Sequence, residues 1–320
     1  MGATYIHLSR APVPRCRLAK APWTIPRVSR PPLSAIVCTM DRAGLLAECL
    51  KSLASALLDG DELIVVESGG SQATAVLEGL GPVAARTLYL RVEPPGKSRQ
   101  LNAGLRASRG TVALLTDDDA RVEQTWADQM AGCFADSTVG IACGRVLGLS
   151  RIPGSEPPPD LRAGDAPFET WRFAHGAAMA VRRHAAFDAG GFDERLGPGT
   201  PAAGEDHDFV LRVRRRGWRV VVASADPVQH LDWRTSEEDR RNALSYERGG
   251  GAVVGAALRR SAKEGWPVLR HRLAYQRDVF DVNRSFGFAA VGAFASGLLY
   301  GFRLSERDWL RRPEVGSQAW

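Results

Sequence analysis

Two spacings of apolar residues alternate along the first two thirds of this chain. Ser34-Ala-Ile-Val-Cys38 is a short apolar run of the kind that forms a buried strand. Leu45, Leu46, Cys49, Leu50, Leu53 and Leu57 then recur at the spacing of one helix face. The pattern repeats. Glu62-Leu-Ile-Val-Val-Glu67 predicts a second strand, which ends in the turn Ser68-Gly-Gly-Ser71 before a helical stretch from Ala73 to Leu80. Thr87-Leu-Tyr-Leu-Arg-Val92 predicts a third strand, Ser98 to Ala107 a helix, and Thr111-Val-Ala-Leu-Leu-Thr116 a fourth strand. Strands and helices alternating at this interval predict βαβ units and a mainly parallel sheet.

Beyond residue 119 the pattern loosens. Gly140–Leu147, Ala177–Val181 and Trp218–Ala223 predict strands, Asp206–Arg216 an amphipathic helix, and the Pro-rich stretch Ile152–Pro167 a long binding loop. From Ser236 the chain is expected to be helical. Phe286–Phe302 carries no charge, but as a helix it spans only ~26 Å, short for a ~30 Å hydrocarbon core. With four glycines in it, a buried or membrane-surface helix is expected rather than a spanning one, and Arg284 and Arg303 at its ends suit peripheral attachment.

Charge sharpens this division. The net charge of +6 is accounted for by Arg10, Arg15, Arg17, Lys20, Arg27 and Arg30, with no acid before Asp41, so the remainder is neutral overall. That argues against a nucleic-acid-binding body and for a basic arm over residues 1–32, with acidic lipid, a protein partner or nothing as its contact. The 320 residues, 44% hydrophobic and 24% charged, suffice for a sizeable core. Five cysteines without paired metal-ligand spacing are expected to be reduced thiols of a cytoplasmic protein, and no signal peptide is expected.

The fourth strand closes on Asp117, Asp118 and Asp119. Clustered carboxylates at a strand's carboxyl end repel one another, and a divalent cation such as Mg²⁺ or Mn²⁺ relieves that repulsion; the plainer reading is a polar turn with one capping Asp. Asp41 follows the first strand and Glu67 ends the second, where carboxylates can grip a nucleotide's base and ribose. Lys97 and Arg99 open a helix whose N-terminus suits phosphate. Pro95-Gly-Lys-Ser98 fails as a P-loop, because Arg91 stands where the first glycine is required. His175 and His184 have no recognisable nucleophile partner, and the arginines at 212, 214, 215, 216 and 219 read as a solvated face.

Taken in order, Ser34-Ala-Ile-Val-Cys-Thr-Met-Asp-Arg42, Glu62 to Ser71, Gly96-Lys-Ser-Arg-Gln-Leu-Asn-Ala-Gly104, Thr116-Asp-Asp-Asp119, Gly190-Gly-Phe-Asp-Glu194 and Gly204-Glu-Asp-His-Asp-Phe-Val-Leu-Arg212 resemble the family 2 glycosyltransferases. The resemblance implies an α/β GT-A (Rossmann-like) fold: a mostly parallel twisted sheet flanked by helices. It places the catalytic domain at residues 33–235, between the basic arm and a helical C-terminal region at 236–320. It also implies inverting transfer from a nucleotide-sugar donor, Mg²⁺ or Mn²⁺ as cofactor, and a sugar, lipid-linked or small-molecule acceptor. Carried over by position, Thr39, Asp41, Arg42, Glu67, Lys97, Arg99, Asn102, Asp117 and Asp118 correspond to donor contacts. Asp117, Asp119 and His230 correspond to metal ligands, and Asp206 to the general base beside Glu205. Two departures stand out: Glu67 replaces the family's usual Asp, and Ala178 replaces a frequent Asn on the acceptor side. The rival readings are a sugar-1-phosphate nucleotidyltransferase-like enzyme and a catalytically silent nucleotide-binding protein.

Overall fold

Strand β1 (Leu33–Thr39) is buried along its whole length because both of its faces are covered. Leu33, Ala35 and Val37 point into a layer with α1 (Ala43–Ala56), α2 (Gln72–Glu78) and α4 (Trp126–Gly132). Ile36 and Cys38 point the other way, into a layer with α3 (Lys97–Ala107), α5 (Arg183–Asp188) and α6 (Glu205–Arg215). A strand covered on both sides is apolar throughout, which is why β1, β2 (Glu62–Glu67) and β4 (Val112–Asp117) show as unbroken runs in the sequence. The structure is a computed structural model that describes residues 30, 32–81, 83, 87–148, 174–231, 236–282 and 284–311. Most of the basic arm, and the expected loop Ile152–Pro167, lie outside these residues. Arg30, at the arm's end, is ion-paired to Asp61 at 2.8 Å and to Asp128.

The main sheet has seven strands in the order β3-β2-β1-β4-β8-β6-β9, where β3 is Thr87–Arg91, β6 Val139–Cys143, β8 Met179–Arg182 and β9 Arg219–Val222. Its pairings are parallel except for β8, which runs antiparallel to both β4 and β6. Register aligns Thr39 with Glu67 and Cys38 with Asp117, so the carboxyl ends of β1, β2 and β4 share one edge. A second sheet orders β5 (Ala120–Arg121), β10 (Val228–His230) and β7 (Val146–Leu147). There His230 pairs opposite Ala120, beside the acidic cluster.

Two expected elements change form. The Gly140–Leu147 run divides between the two sheets, broken at Gly144, whose N–H donates to Ala178 O at 2.7 Å. The expected strand at Ala177 opens as a 3₁₀ turn over Gly176–Ala178.

The C-terminal helices α7 (Ser236–Arg260), α8 (Ala262–Val282) and α9 (Arg284–Phe302) are packed onto the body. Leu211 of α6 shares a core with Val253, Val254 and Ala257 of α7 and Phe294 of α9. Past α9 the chain returns to the sheet layer, where Trp309 N donates to Gly190 O at 2.8 Å and Leu310 joins the core.

Candidate active site

The Asp cluster turns its three side chains to different partners. Asp117 ends β4 half-buried, ion-paired with Lys97 Nζ at 2.5 Å. Asp118 is fully buried; it accepts from Thr39 Oγ1 at 2.7 Å and faces Arg42 Nη2 at 2.9 Å. Burial pushes its carboxyl up to about 6 against the opposing pull of Arg42. Asp119 lies between Arg42 Nη1 at 3.1 Å and His230 Nε2 at 3.1 Å. Candidate ligand atoms of Asp117, Asp119 and His230 all lie within 4.8 Å of one another. Two carboxylates and an imidazole so disposed fit a divalent cation.

Past the end of β1, Asp41 is exposed and in the left-handed region (φ 54°), a conformation that Asp tolerates. The turn after β2 needs glycine at Gly69, which takes φ 85°, and Asp41 Oδ1 packs over the neighbouring Gly70. Glu67 is buried instead. Its oxygens accept from Ala73 N at 3.0 Å and Tyr89 OH at 2.6 Å, so it caps α2 and anchors β3. Burial and Glu67 together push the Tyr89 hydroxyl up to about 12.

Lys97 sits beneath Gly176, where an added Cβ would lie 3.5 Å from Nζ. Burial alone would lower its pKa, but Asp117 and Glu205 outweigh burial and hold it above the usual lysine range. Arg99 lies beside the turn after α5, with Nε 3.3 Å from Glu194 and Nη1 donating to Pro94 O at 2.7 Å. Asn102 is fully buried. Its amide exchanges hydrogen bonds with both backbone groups of Phe192, at 2.8 and 2.9 Å, which makes it a clamp between α3 and the Gly190–Glu194 turn rather than an edge residue open to donor.

Helix α6 begins at Gly204, whose φ of 98° and 2.9 Å Cβ clearance to Val253 both require glycine. Its first two residues have opposite electrostatics. Burial, reinforced by Asp206, pushes Glu205 up to about 7 despite Lys97. Burial would also raise Asp206, but His207 and His175 outweigh it and hold Asp206 below the usual carboxylate range. Asp206 accepts from His207 N at 2.8 Å and, through Oδ2, from Gly176 N at 3.3 Å. Burial lowers His175 against the pull of Asp206, which favours the neutral imidazole.

His175 escaped the sequence reading because a lone histidine carries no signal until β8 and α6 bring it to Asp206. Arg212 corrects another reading: it is 3% exposed, bonded to Asp208 at 2.7 Å and to Ala189 O, and so is no solvated face. Ala178 is fully buried in the core layer with Trp126 and Met130. The four described cysteines are free, and burial holds the Cys38, Cys49 and Cys143 thiols well above their usual range, unsuited to nucleophilic work.

Residues 34–189, the stretch that holds the acid cluster, Asp41 and Glu67, match the model of glycosyl transferase family 2. The chain carries a family 2 glycosyltransferase domain. It is similar to the pre-mycofactocin glycosyltransferase of Mycobacterium tuberculosis, with 27% identity over 194 residues, 55% of this chain and 40% of that protein. It therefore spans less than half the length of that relative. A second relative is the glucosyl-dolichyl phosphate glucuronosyltransferase of Haloferax volcanii, 23% identical over 63% of this chain and 71% of that one. The fold of the family 2 domain recurs in S. aureus TarS solved with UDP-GlcNAc (TM-score 0.63, 16% identity, covering 83% of this chain and 81% of that one). It recurs too in a mannosyltransferase from Pyrobaculum calidifontis in complex with GDP-Man and Mn²⁺ (TM-score 0.56, 18% identity, covering 89% and 91%). These glycosyltransferases share a mixed α/β architecture with a mostly parallel sheet, as the resemblance implied.

Proposed function

We propose that this chain is an inverting, metal-dependent glycosyltransferase that moves a sugar from a nucleotide-diphosphate donor to an acceptor hydroxyl. The observation that carries the reading is the meeting of Asp117, Asp119 and His230 at the strand edge, within 4.8 Å, alongside the ionised Asp206 at the start of α6. Support comes from the two solved relatives of this fold, one bound to UDP-GlcNAc and the other to GDP-Man and Mn²⁺. A divalent cation held by the three ligands would supply Lewis-acid relief of the charge that develops on the diphosphate leaving group.

The remaining work falls to the chain's own side chains. Asp41 offers an exposed carboxylate to the nucleoside, and Glu67 holds the adjoining turn by capping α2. Arg42 and Lys97 neutralise the acid cluster now, and when the donor enters they turn to its diphosphate oxygens. Asp206 takes the acceptor hydroxyl's proton as that oxygen attacks the anomeric carbon from the face opposite the diphosphate. Held ionised by His207, whose backbone N–H also donates to it, Asp206 is ready across the neutral range, and the proton moves late, once the attacking oxygen has become acidic.

Two variants separate these roles. Asp119→Asn should weaken Mn²⁺-dependent binding of UDP or GDP by roughly 10- to 100-fold in calorimetry, the usual cost of disturbing a metal site. Asp206→Asn should bind the same nucleotide as the wild type does and lose about 100-fold or more in transfer rate. Wild-type nucleotide binding by Asp119→Asn would remove the metal site from this edge.

A further inference from the structure

Helix α9 has two unlike sides. Gly287, Ala290, Phe294, Gly297 and Gly301 are buried on one side. On the other, Phe288 is 71% exposed, Val291 45%, Leu299 65% and Phe302 53%. These four follow one another at helical intervals, and no charge interrupts the stretch between Arg284 and Arg303. Only 28% of its apolar window is buried.

Helix α8, which packs beside α9, has an exposed stripe of different composition. Its exposed stripe is Lys263, Trp266, Arg270, Leu273 and Arg277, basic and apolar residues in alternation at steps of three and four, with Trp266 58% and Leu273 52% exposed. Of its acids, Glu264 in the first turn lies 3.9 Å from Arg215 of α6, and Asp278 and Asp281 fall within its last five residues. Phe280 meets Phe288 edge to face at 4.9 Å, which joins the two helices at their connection.

We infer that the outer faces of α8 and α9 together form a docking surface for an anionic lipid bilayer. Large apolar side chains beside arginine and lysine match an acyl boundary beneath negative headgroups, with Trp266 suited to the interface between them. A second copy of this chain fits less well, because a two-fold contact through this face would set Lys263, Arg270 and Arg277 against their own like charges. The helix lies in the plane of the surface rather than crossing it. Its buried side is locked to α7, where a Cβ at Gly297 would stand 1.8 Å from Arg248 O and one at Gly301 1.8 Å from Ala252 O.

The test uses the full chain and reads vesicle binding without any donor, so it stands apart from the glycosyltransferase reading. The wild type should sediment with phosphatidylglycerol vesicles at least about tenfold more strongly than with phosphatidylcholine vesicles, and salt should weaken the binding. Arg270→Glu with Arg277→Glu should weaken it by at least roughly tenfold, since each lost basic contact is worth about fivefold. The triple variant Val291→Ser, Leu299→Ser, Phe302→Ser should lose it by at least about tenfold, through the apolar area removed from the lipid contact. All of these side chains are exposed or intermediate, so both variants should keep the wild-type unfolding temperature, which shows that they are folded. Unchanged binding by either variant, or equal wild-type binding to the neutral vesicles, overturns the proposal. So does a wild-type dimer in sedimentation velocity that dissociates in the triple variant, which would make the face a contact between copies.

Discussion

Glu205 and Asp206 are neighbours in the chain, and burial acts on both, yet only Asp206 has histidines close enough to keep its charge. The difference has a measurable sign. Glu205 holds its proton up to about 7 in the folded chain, whereas the unfolded chain releases it near 4.5. Between those values the folded state binds more protons, so the stability contributed is fully present below about 4.5 and is lost as pH rises through 7, by up to about 3 kcal/mol. Glu205→Gln should therefore match the wild type in thermal unfolding near pH 4.5 and exceed it at pH 8; a gain that is the same at both pH values would mean that the burial of this carboxyl is not the cause. At this scale the sequence was informative wherever the chemistry sat in one run, as with Asp117-Asp118-Asp119. It was silent on His175 and misleading on Arg212, because both depend on what other elements bring against them. Asn102 and Glu67 were visible as motif members, but their hydrogen bonds to Phe192, Ala73 and Tyr89 could be known only once the chain was folded.

At the scale of elements, the long strands and helices were legible because burial on one or both faces writes a period into the sequence. β5, β7 and β10 have two or three residues each and are too short to carry one; they exist because they pair with one another. Helix α9 was legible as apolar, while its inner face was not, since glycine reads first as a helix breaker. Here the glycines are the contact. Gly251 and Gly255 of α7 meet the backbone of α9 with would-be Cβ clearances of 2.0 and 2.2 Å, and Gly297 and Gly301 do the same in return. Gly301→Leu should accordingly force the helices apart at a cost of about 3 kcal/mol or more, a fall in unfolding temperature of several degrees. Gly292→Ala, with nothing within 4 Å of the new Cβ, should hold or raise stability by up to about 1 kcal/mol through helix propensity. Equal losses from the two substitutions would mean that α7 and α9 are not in close contact.

The whole molecule ties its C-terminal helices to α6 through a buried ion cluster. Asp208, two residues past Asp206, takes Arg212 on one oxygen and Arg260 of α7 on the other, each at 2.7 Å. Burial would raise Asp208, but Arg260 and Arg212 outweigh it and hold the carboxyl down at about 2. Arg260→Met leaves Arg212 in place, so the loss should sit near the low end of the range for a broken buried pair, about 3 kcal/mol, read by denaturant unfolding. A change under about 1 kcal/mol would show that the helices are held by Leu211 and its apolar neighbours alone. What the amino-acid sequence determined by itself was the alternation of strands and helices, the acids at the strand ends and the apolar character of α9, because each is a local pattern imposed by burial or by charge crowding. Only the tertiary structure decided that His230 meets Asp119, that His175 comes up to Asp206, and that the last three helices brace α6. Those facts rest on contacts between residues far apart in the chain, whose energies depend on distance and burial and leave no period to read.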